Sequence, residues 1–264
     1  MSTARPAKRS PADVPIGADT VTRLGTVLSV WAHPDDETYL AGGVLAALTD
    51  AGQRVVCVTA TRGEAADPTA DQAARDKLAR LRTTELIEAL RLLGVHEHRW
   101  LDYPDGGCSE VDPTEAASRL TQVLDEVSPD TVVTFGPDGF TGHPDHRTVS
   151  SWTDRALGGF AGTPRLLHAV ATGGSRTLGD EYGVYALGAP RQCEDHELAV
   201  RLDLDGPTLD RKVAALRRQH SQTADLIDAM GEERFAAWVA IEAFAAPAVQ
   251  SAPRADGAAR RAAQ

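Results

Sequence analysis

Thr26-Val27-Leu28-Ser29-Val30-Trp31-Ala32-His33-Pro34-Asp35-Asp36-Glu37 reads as a short buried strand that Pro34 closes. A helical pattern follows over 37–50 and ends near Gly52. Downstream the arrangement recurs: an apolar strand over 131–135, then Gly142-His143-Pro144-Asp145-His146, then a helical pattern over 144–157. The chain thus twice places His-Pro-Asp where a strand gives way to a helix.

The elements around these two stretches extend the alternation. Residues 54–60 read as a strand. A long amphipathic helix follows over 72–93, where Leu78, Leu81, Leu86, Leu90 and Leu93 recur at helical spacing before Gly94. A short strand is expected over 98–101, a helix over 113–127 with Pro113 in its first turn, and a strand over 165–172. Past 195 the pattern gives a strand over 197–204 and helices over 208–219 and 232–244. Strands alternating with helices predict an α/β fold, a Rossmann-like, mostly parallel sheet flanked by helices, as a single domain over 21–245. A polar tail with Pro6, Pro11 and Pro15 is expected over 1–20, and a flexible tail rich in Ala, Pro and Arg over 246–264. In open parallel sheets ligands bind at the carboxyl ends of the strands, where both His-Pro-Asp stretches lie. The first strand-to-helix turn lacks Gly-x-Gly-x-x-Gly, which argues against a dinucleotide.

Composition narrows the class. The chain has 264 residues, 42% of them hydrophobic and 25% charged, as in ordinary globular proteins. A net charge of -11 argues against a nucleic-acid partner. No apolar stretch approaches the roughly 20 residues that span a bilayer, so no membrane association is expected. The first residues lack the apolar core of a signal peptide, and a cytoplasmic location is the default. Cys57, Cys108 and Cys193 are too few and too scattered for a disulfide framework, and Cys57 reads as a core residue. The oligomeric state is open.

The spacing within each stretch suggests chemistry. His33 and Asp36 are three apart, so a helical turn points both the same way and Asp35 elsewhere. His143 and His146 are also three apart, and Pro144 suits the first helical position, which makes His143 a cap residue. Two imidazoles and one carboxylate with open positions suit catalytic Zn²⁺, with Fe²⁺ as the alternative. Such a metal lowers the pKa of its water to about 7 and polarises a carbonyl. A spare carboxylate can then take a proton, and a spare imidazole can stabilise an oxyanion. Taken singly, each His-Pro-Asp is equally well a capped turn, because Asp and Pro favour turns. Their shared placement at strand ends argues for one site. His96, His98, His168 and His196 show no partner pattern and read as surface or loop residues.

These residues resemble the PIG-L-like (LmbE-type) zinc-dependent deacetylases, which remove acetyl groups from N-acetylglucosamine-type substrates. The resemblance rests on Ala-His-Pro-Asp-Asp-Glu at 32–37 and Gly-His-Pro-Asp-His at 142–146. It extends to Arg82-Thr83-Thr84-Glu85-Leu86, Leu93-Gly94-Val95 and Pro104-Asp105-Gly106. It implies zinc held by His33, Asp36 and His146, and Asp35 as general base toward the attacking water. It implies His143 as oxyanion stabiliser, in the imidazolium form, and as a candidate proton donor to the leaving amine. Asp145 would orient a ligand histidine, and Arg82 and Asp105 would hold sugar hydroxyls. A salt bridge from Arg82 to Glu85 or to a neighbouring helix is the plainer alternative, and Arg62 and Glu64 are either pocket-lining or a surface turn.

Two positions depart from the pattern of the thiol-cofactor deacetylases. Thr141 stands where they carry Tyr, and Gln219 stands where they carry a late His, beside His220. The expected function is a metal-dependent hydrolase that deacetylates a small N-acetylated amino sugar or sugar conjugate. The alternatives are an amidase acting on a larger conjugate or natural-product intermediate, and a non-catalytic sugar- or metal-binding homologue. A phosphoesterase lacks the second ligand cluster that a two-metal site needs.

Overall fold

In the computed structural model, which describes residues 21–173 and 176–248, the strand at the first motif is β1 (Val27–Trp31), buried along its whole length. It pairs in parallel with β2 (Val55–Thr61) on one side and β4 (Thr131–Phe135) on the other. Both neighbours are also buried throughout, as expected of parallel strands covered on both faces. The sheet has seven strands in the order β3-β2-β1-β4-β5-β7-β6, with β3 (Glu97–Tyr103), β5 (Arg165–Ala169), β6 (Leu198–Asp203) and β7 (Ile241–Ala245). Only β7 runs against its neighbours.

The strand order reverses between β1 and β4. The chain steps outward from β1 through α1 (Asp36–Asp50) to β2, and through α2 (Gln72–Leu92) to β3. It then returns through α3 (Pro113–Val127) to β4 and continues through α4 (Pro144–Gly159) to β5. The crevice at such a reversal is where open α/β sheets bind ligands, and the two His-Pro-Asp turns leave β1 and β4 on either side of it. Trp31 and Phe135, the last residues of these strands, meet edge to face with ring centroids 4.9 Å apart. Both rings are fully buried in the core.

Helix starts follow local chemistry. Asp71 caps α2 by accepting from the Ala74 N–H, and Asp112 caps α3 by accepting from Thr114, ahead of Pro113. The expected elements through 169 are present, with ends shifted by a few residues. On α2 the apolar face holds Leu86 and Leu90 in the core, but Leu81 is 46% exposed, so the buried stripe is narrower than the leucine spacing implies.

Three readings are corrected. The helix expected over 232–244 is a helix α8 (Glu232–Val239) followed by β7. The Ala- and Glu-rich run suits a helix, but β7 fills the slot between β5 and β6, and this long-range pairing outweighs local propensity. Two helices were absent from the expected pattern: α5 (Arg176–Glu181) and α7 (His220–Met230), the latter following α6 (Gly206–Arg218) almost without a break. His98 and His168 are strand residues rather than surface or loop. His168 is buried on β5, and His98 on β3 has its Nε2 2.9 Å from the Thr59 hydroxyl. All three cysteines are buried free thiols. The expected tails lie outside the described residues, apart from 246–248. Among the described residues no helix is long and apolar enough to cross a membrane.

A buried ion pair joins the C-terminal elements to the first helix. Lys212 Nζ on α6 lies 2.7 Å from Glu242 Oε1 on β7, with both side chains fully buried. Lys212 also donates to the carbonyls of Tyr39 and Val239, and Glu242 accepts the N–H groups of Gly43 and Val44. Every strong donor and acceptor of the pair is thereby engaged, which such burial requires.

Candidate metal centre

His33 and Asp36 sit in the turn from β1 into α1. The His33 N–H donates to Asp36 Oδ2 at 2.8 Å, which folds the carboxylate back toward the imidazole. Asp35, between them, has φ of 103°, a conformation that non-glycine residues rarely adopt. The turn is strained there, and Asp35 Oδ2 lies 3.2 Å from Arg82 Nη2.

On the other side, His143 caps α4: its Nδ1 accepts the Asp145 N–H at 3.2 Å. The turn before it depends on Gly142, whose φ is 79°. A Cβ there would lie 2.4 Å from the Leu187 backbone, so only glycine lets that loop pack against the motif. One turn into α4, His146 stacks on Phe135 with centroids 4.2 Å apart and donates Nδ1–H to the Gly139 carbonyl at 2.9 Å. Its Nε2 is therefore the lone-pair nitrogen, turned toward His33. The Thr141 hydroxyl lies 3.2 Å from the same Nδ1, so the residue in place of the expected Tyr contacts the outer edge of His146.

The two motifs meet in a triangle of ligand atoms. His33 Nδ1 is 3.1 Å from His146 Nε2, His146 Nε2 is 3.4 Å from Asp36 Oδ1, and His33 Nδ1 is 3.7 Å from Asp36 Oδ2. In a tetrahedral zinc site with Zn–N near 2.0–2.1 Å, neighbouring ligand nitrogens stand about 3.3 Å apart. The imidazole–imidazole distance is close to that spacing, and Asp36 turns one oxygen to each ring, Oδ1 to His146 and Oδ2 to His33. The far nitrogen of His33, Nε2, lies 3.0 Å from Asp105 Oδ1 and 3.2 Å from Asp145 Oδ2. Carboxylates behind a ligand imidazole fix its tautomer and raise its basicity.

Taking one ligand atom from each residue, two groupings converge to within 4.8 Å: His33 with His143 and His146, and His33 with Asp105 and Asp145. We favour the triangle with Asp36, since the His143 Nδ1 is committed to its helix cap. Asp145 is engaged as well, accepting the N–H groups of Gly106 and Cys108.

Electrostatics follow from burial and these contacts. Burial alone would strip His33 of its proton, but Asp105, Asp145 and Asp36 outweigh it and raise its pKa to about 10. Burial lowers that of His146 to about 4. Without a metal, His33 is therefore the donor across the 3.1 Å contact, and a metal would take the place of that proton. Burial raises the Asp35 carboxyl to about 8, against the opposing pull of Arg82. His143 is lowered, by burial first and then by the charge on His33. With Nδ1 accepting a backbone N–H, His143 is the neutral Nε2–H tautomer rather than the expected imidazolium.

Other expected roles shift. Arg82 is buried and makes no bridge to Glu85. It donates to the Gly63 and Pro34 carbonyls and to Asp35, while Glu85 accepts from Ser221. Asp105 accepts the Ala65 N–H at 2.8 Å through its second oxygen. Both residues line the cavity, and Arg82 Nε is buried without a hydrogen-bond partner. Arg62 is drawn to Asp102, Thr83 and the Trp100 ring, and Glu64 Oε1 accepts the Asp105 N–H; neither lines the cavity. Gln219 Nε2 donates to Glu37 Oε1 at 2.6 Å, holding the last acid of the first motif from behind. His220 is exposed and does not line the cavity.

The cluster opens into a cavity of about 460 Å³. Several of its lining residues were not anticipated: Tyr39, Phe140, Tyr185, Leu226, Trp238 and Ile241. Half of them belong to the segment beyond 195, where the sequence pattern was weakest.

Residues 28–157 match the family model described as GlcNAc-PI de-N-acetylase, PIG-L. A 1D-myo-inositol 2-acetamido-2-deoxy-alpha-D-glucopyranoside deacetylase from Kineococcus radiotolerans is 39% identical over 159 residues, 50% of this chain and 44% of the relative. The enzyme of the same name from Saccharomonospora viridis is 32% identical over 227 residues, 74% of this chain and 84% of the relative. The chain thus spans under half of the first relative's length and most of the second's. Among solved structures, an N,N'-diacetylchitobiose deacetylase from Pyrococcus horikoshii superposes with a TM-score of 0.59 at 25% identity, covering 83% of this chain and 82% of that one.

Proposed function

Because this chain belongs to the PIG-L family of GlcNAc-PI de-N-acetylases, we propose that it is a metal-dependent amide hydrolase. On this reading it removes the acetyl group from an N-acetylated amino sugar or sugar conjugate. The observation behind it is the triangle of His33 Nδ1, His146 Nε2 and the Asp36 carboxylate, with Asp35 held beside it. These three ligands would hold a divalent ion, zinc by preference. Bound there, the ion supplies an acidified water and a polarised amide carbonyl.

The remaining steps belong to the protein. Asp35 accepts the proton of the attacking water. Its raised pKa, about 8, suits a group that must both take a proton and return it near neutral pH. Arg82 keeps the carboxylate aimed and favours its ionised form. His143 donates from Nε2 to the carbonyl oxygen as negative charge develops there, since its Nδ1 is tied to the helix start. The proton held by Asp35 then passes to the leaving amine. Asp145 and Asp105 keep His33 Nδ1 facing the ion.

Metal analysis paired with an amine-release assay across N-acetylglucosamine derivatives tests this reading. It predicts amine release that a chelator abolishes and Zn²⁺ restores. Bound metal with no amide hydrolysis would instead support a non-catalytic homologue.

A further inference from the structure

Glu37 takes no part in the ligand triangle, yet its side chain is fully buried and its two oxygens serve different neighbours. Oε2 accepts the N–H of Asp35 at 3.1 Å. Oε1 accepts the Thr38 hydroxyl and the Gln219 amide, each at 2.6 Å. Thr38 is the next residue of the same helix and moves with Glu37. Gln219 stands at the joint between α6 and α7, 182 residues further along the chain, and ties Glu37 to the body of the protein.

The Asp35 backbone needs such a tie. Its φ of 103° persists only where the surroundings fix it. Arg82 holds the side chain, and the N–H groups of Thr38 and Tyr39 hold the carbonyl. The Asp35 N–H is held by Glu37. The metal ligands are secured by other contacts: Asp36 by the His33 N–H, and His146 by the Gly139 carbonyl.

Gln219 has no local duty that accounts for its burial. Its side chain makes no cap bond to α7. Its backbone is already paired within the joint, the N–H with the Leu216 carbonyl and the carbonyl with the N–H groups of Gln222 and Thr223. The residue is 1% exposed, and its Oε1 is buried with no hydrogen-bond partner. Buried amides ordinarily pair both ends. Here the amide turns its donor to Glu37 and leaves its acceptor unpaired, since the reverse orientation would set an acceptor against the carboxylate.

Resting on the hydrolase reading above, we propose that Gln219 is a positioning residue for Asp35. Acting through Glu37, its amide donor holds the Asp35 backbone in the strained turn and so keeps the base aimed. Because the ligands are held independently, loss of this donor loosens the base and leaves the metal triangle in place.

The test is Gln219→Met, which keeps the length of the side chain and removes the donor, studied in the Zn²⁺-loaded protein well below its melting temperature. Hydrogen exchange of the Asp35 amide, read by NMR, should speed up at least about tenfold, because the Glu37 acceptor is no longer fixed. On an N-acetylglucosamine conjugate kcat should fall about 10–10²-fold, with KM and the bound zinc unchanged. Glu37→Ala should lose at least as much kcat, and adding Gln219→Met to it should cost nothing further. Wild-type exchange at Asp35 overturns the proposal, as does a wild-type kcat, a loss of zinc that parallels the loss of turnover, or a full additional loss in the double variant. Amine release by the wild-type protein is measured first. If it is absent the hydrolase reading fails, and exchange at Asp35 still decides whether Gln219 holds the turn.

Discussion

The Arg82 guanidinium lies 3.2 Å from the Asp35 carboxylate while donating to the carbonyls of Pro34 and Gly63. One buried cation thereby fixes both the side chain and the backbone of the first motif. Gly63 leaves it the room, since a Cβ there would lie 2.1 Å from Arg82 Nη1. Replacing Arg82 by Gln removes the charge and the fork together. We expect kcat to fall about 10²-fold, the scale of a small misplacement of a catalytic group. Without the positive charge Asp35 ionises less readily, so the acidic limb of the pH–rate profile moves to higher pH. An unchanged limb would mean that Arg82 is merely structural.

Asp145 contacts His33 and anchors the Gly106 and Cys108 N–H groups, so it links the two motifs to the loop after β3. Asp145→Asn keeps the shape but weakens the hold on the His33 tautomer. Metal affinity should drop by about 10–100-fold, the usual effect of losing a partner behind a ligand histidine. Competition against a chromophoric chelator measures it, and an undiminished affinity would remove Asp145 from the site.

His98 gives a pH-dependent stability remote from the metal triangle. Burial, then Arg62 and Arg99, lowers its pKa from 6.5 to about 4. The unfolded chain takes up a proton as the pH falls through 6.5, whereas the folded chain does so only near 4. Folding therefore loses stability across that window. Between pH 7 and pH 5 the loss assigned to His98 is up to about 2 kcal/mol. Urea unfolding of wild type and His98→Gln at both pH values should show a smaller decline in the variant. Parallel declines would contradict the assignment.

Lys212→Met should destabilise the protein by about 3–5 kcal/mol, because it strands the fully buried Glu242 charge. Denaturant unfolding reads this directly. A loss below about 1 kcal/mol would mean that water already reaches the pair.

How far the sequence discloses this molecule depends on where the information lies. Val27 to Trp31 and Thr131 to Phe135 are continuous apolar runs ended by Pro-containing turns, so local pattern alone places both strands and the motifs at their ends. β7 is different: Ile241-Glu242-Ala243-Phe244-Ala245 owes its conformation to β5 and β6, which local pattern does not reveal. Spacing also puts His33, Asp36, His143 and His146 within reach of one another. It says nothing of Arg82 turning inward, of Gln219 bracing Glu37, or of the His143 tautomer, each of which depends on contacts between distant segments. The aromatic lining of the cavity was invisible for the same reason, as Tyr39, Phe140, Tyr185 and Trp238 come from four separate stretches.

The proposed mechanism has Asp35 move the proton while His33, Asp36 and His146 hold the ion. It is tested most directly by comparing Zn²⁺-loaded wild type with Asp35→Asn, measuring bound zinc and amine release from an N-acetylglucosamine conjugate that wild type hydrolyses. One equivalent of zinc is expected on both proteins, with a fall in kcat of about 10²–10⁴-fold in the variant. Full turnover by Asp35→Asn with its zinc in place would contradict it.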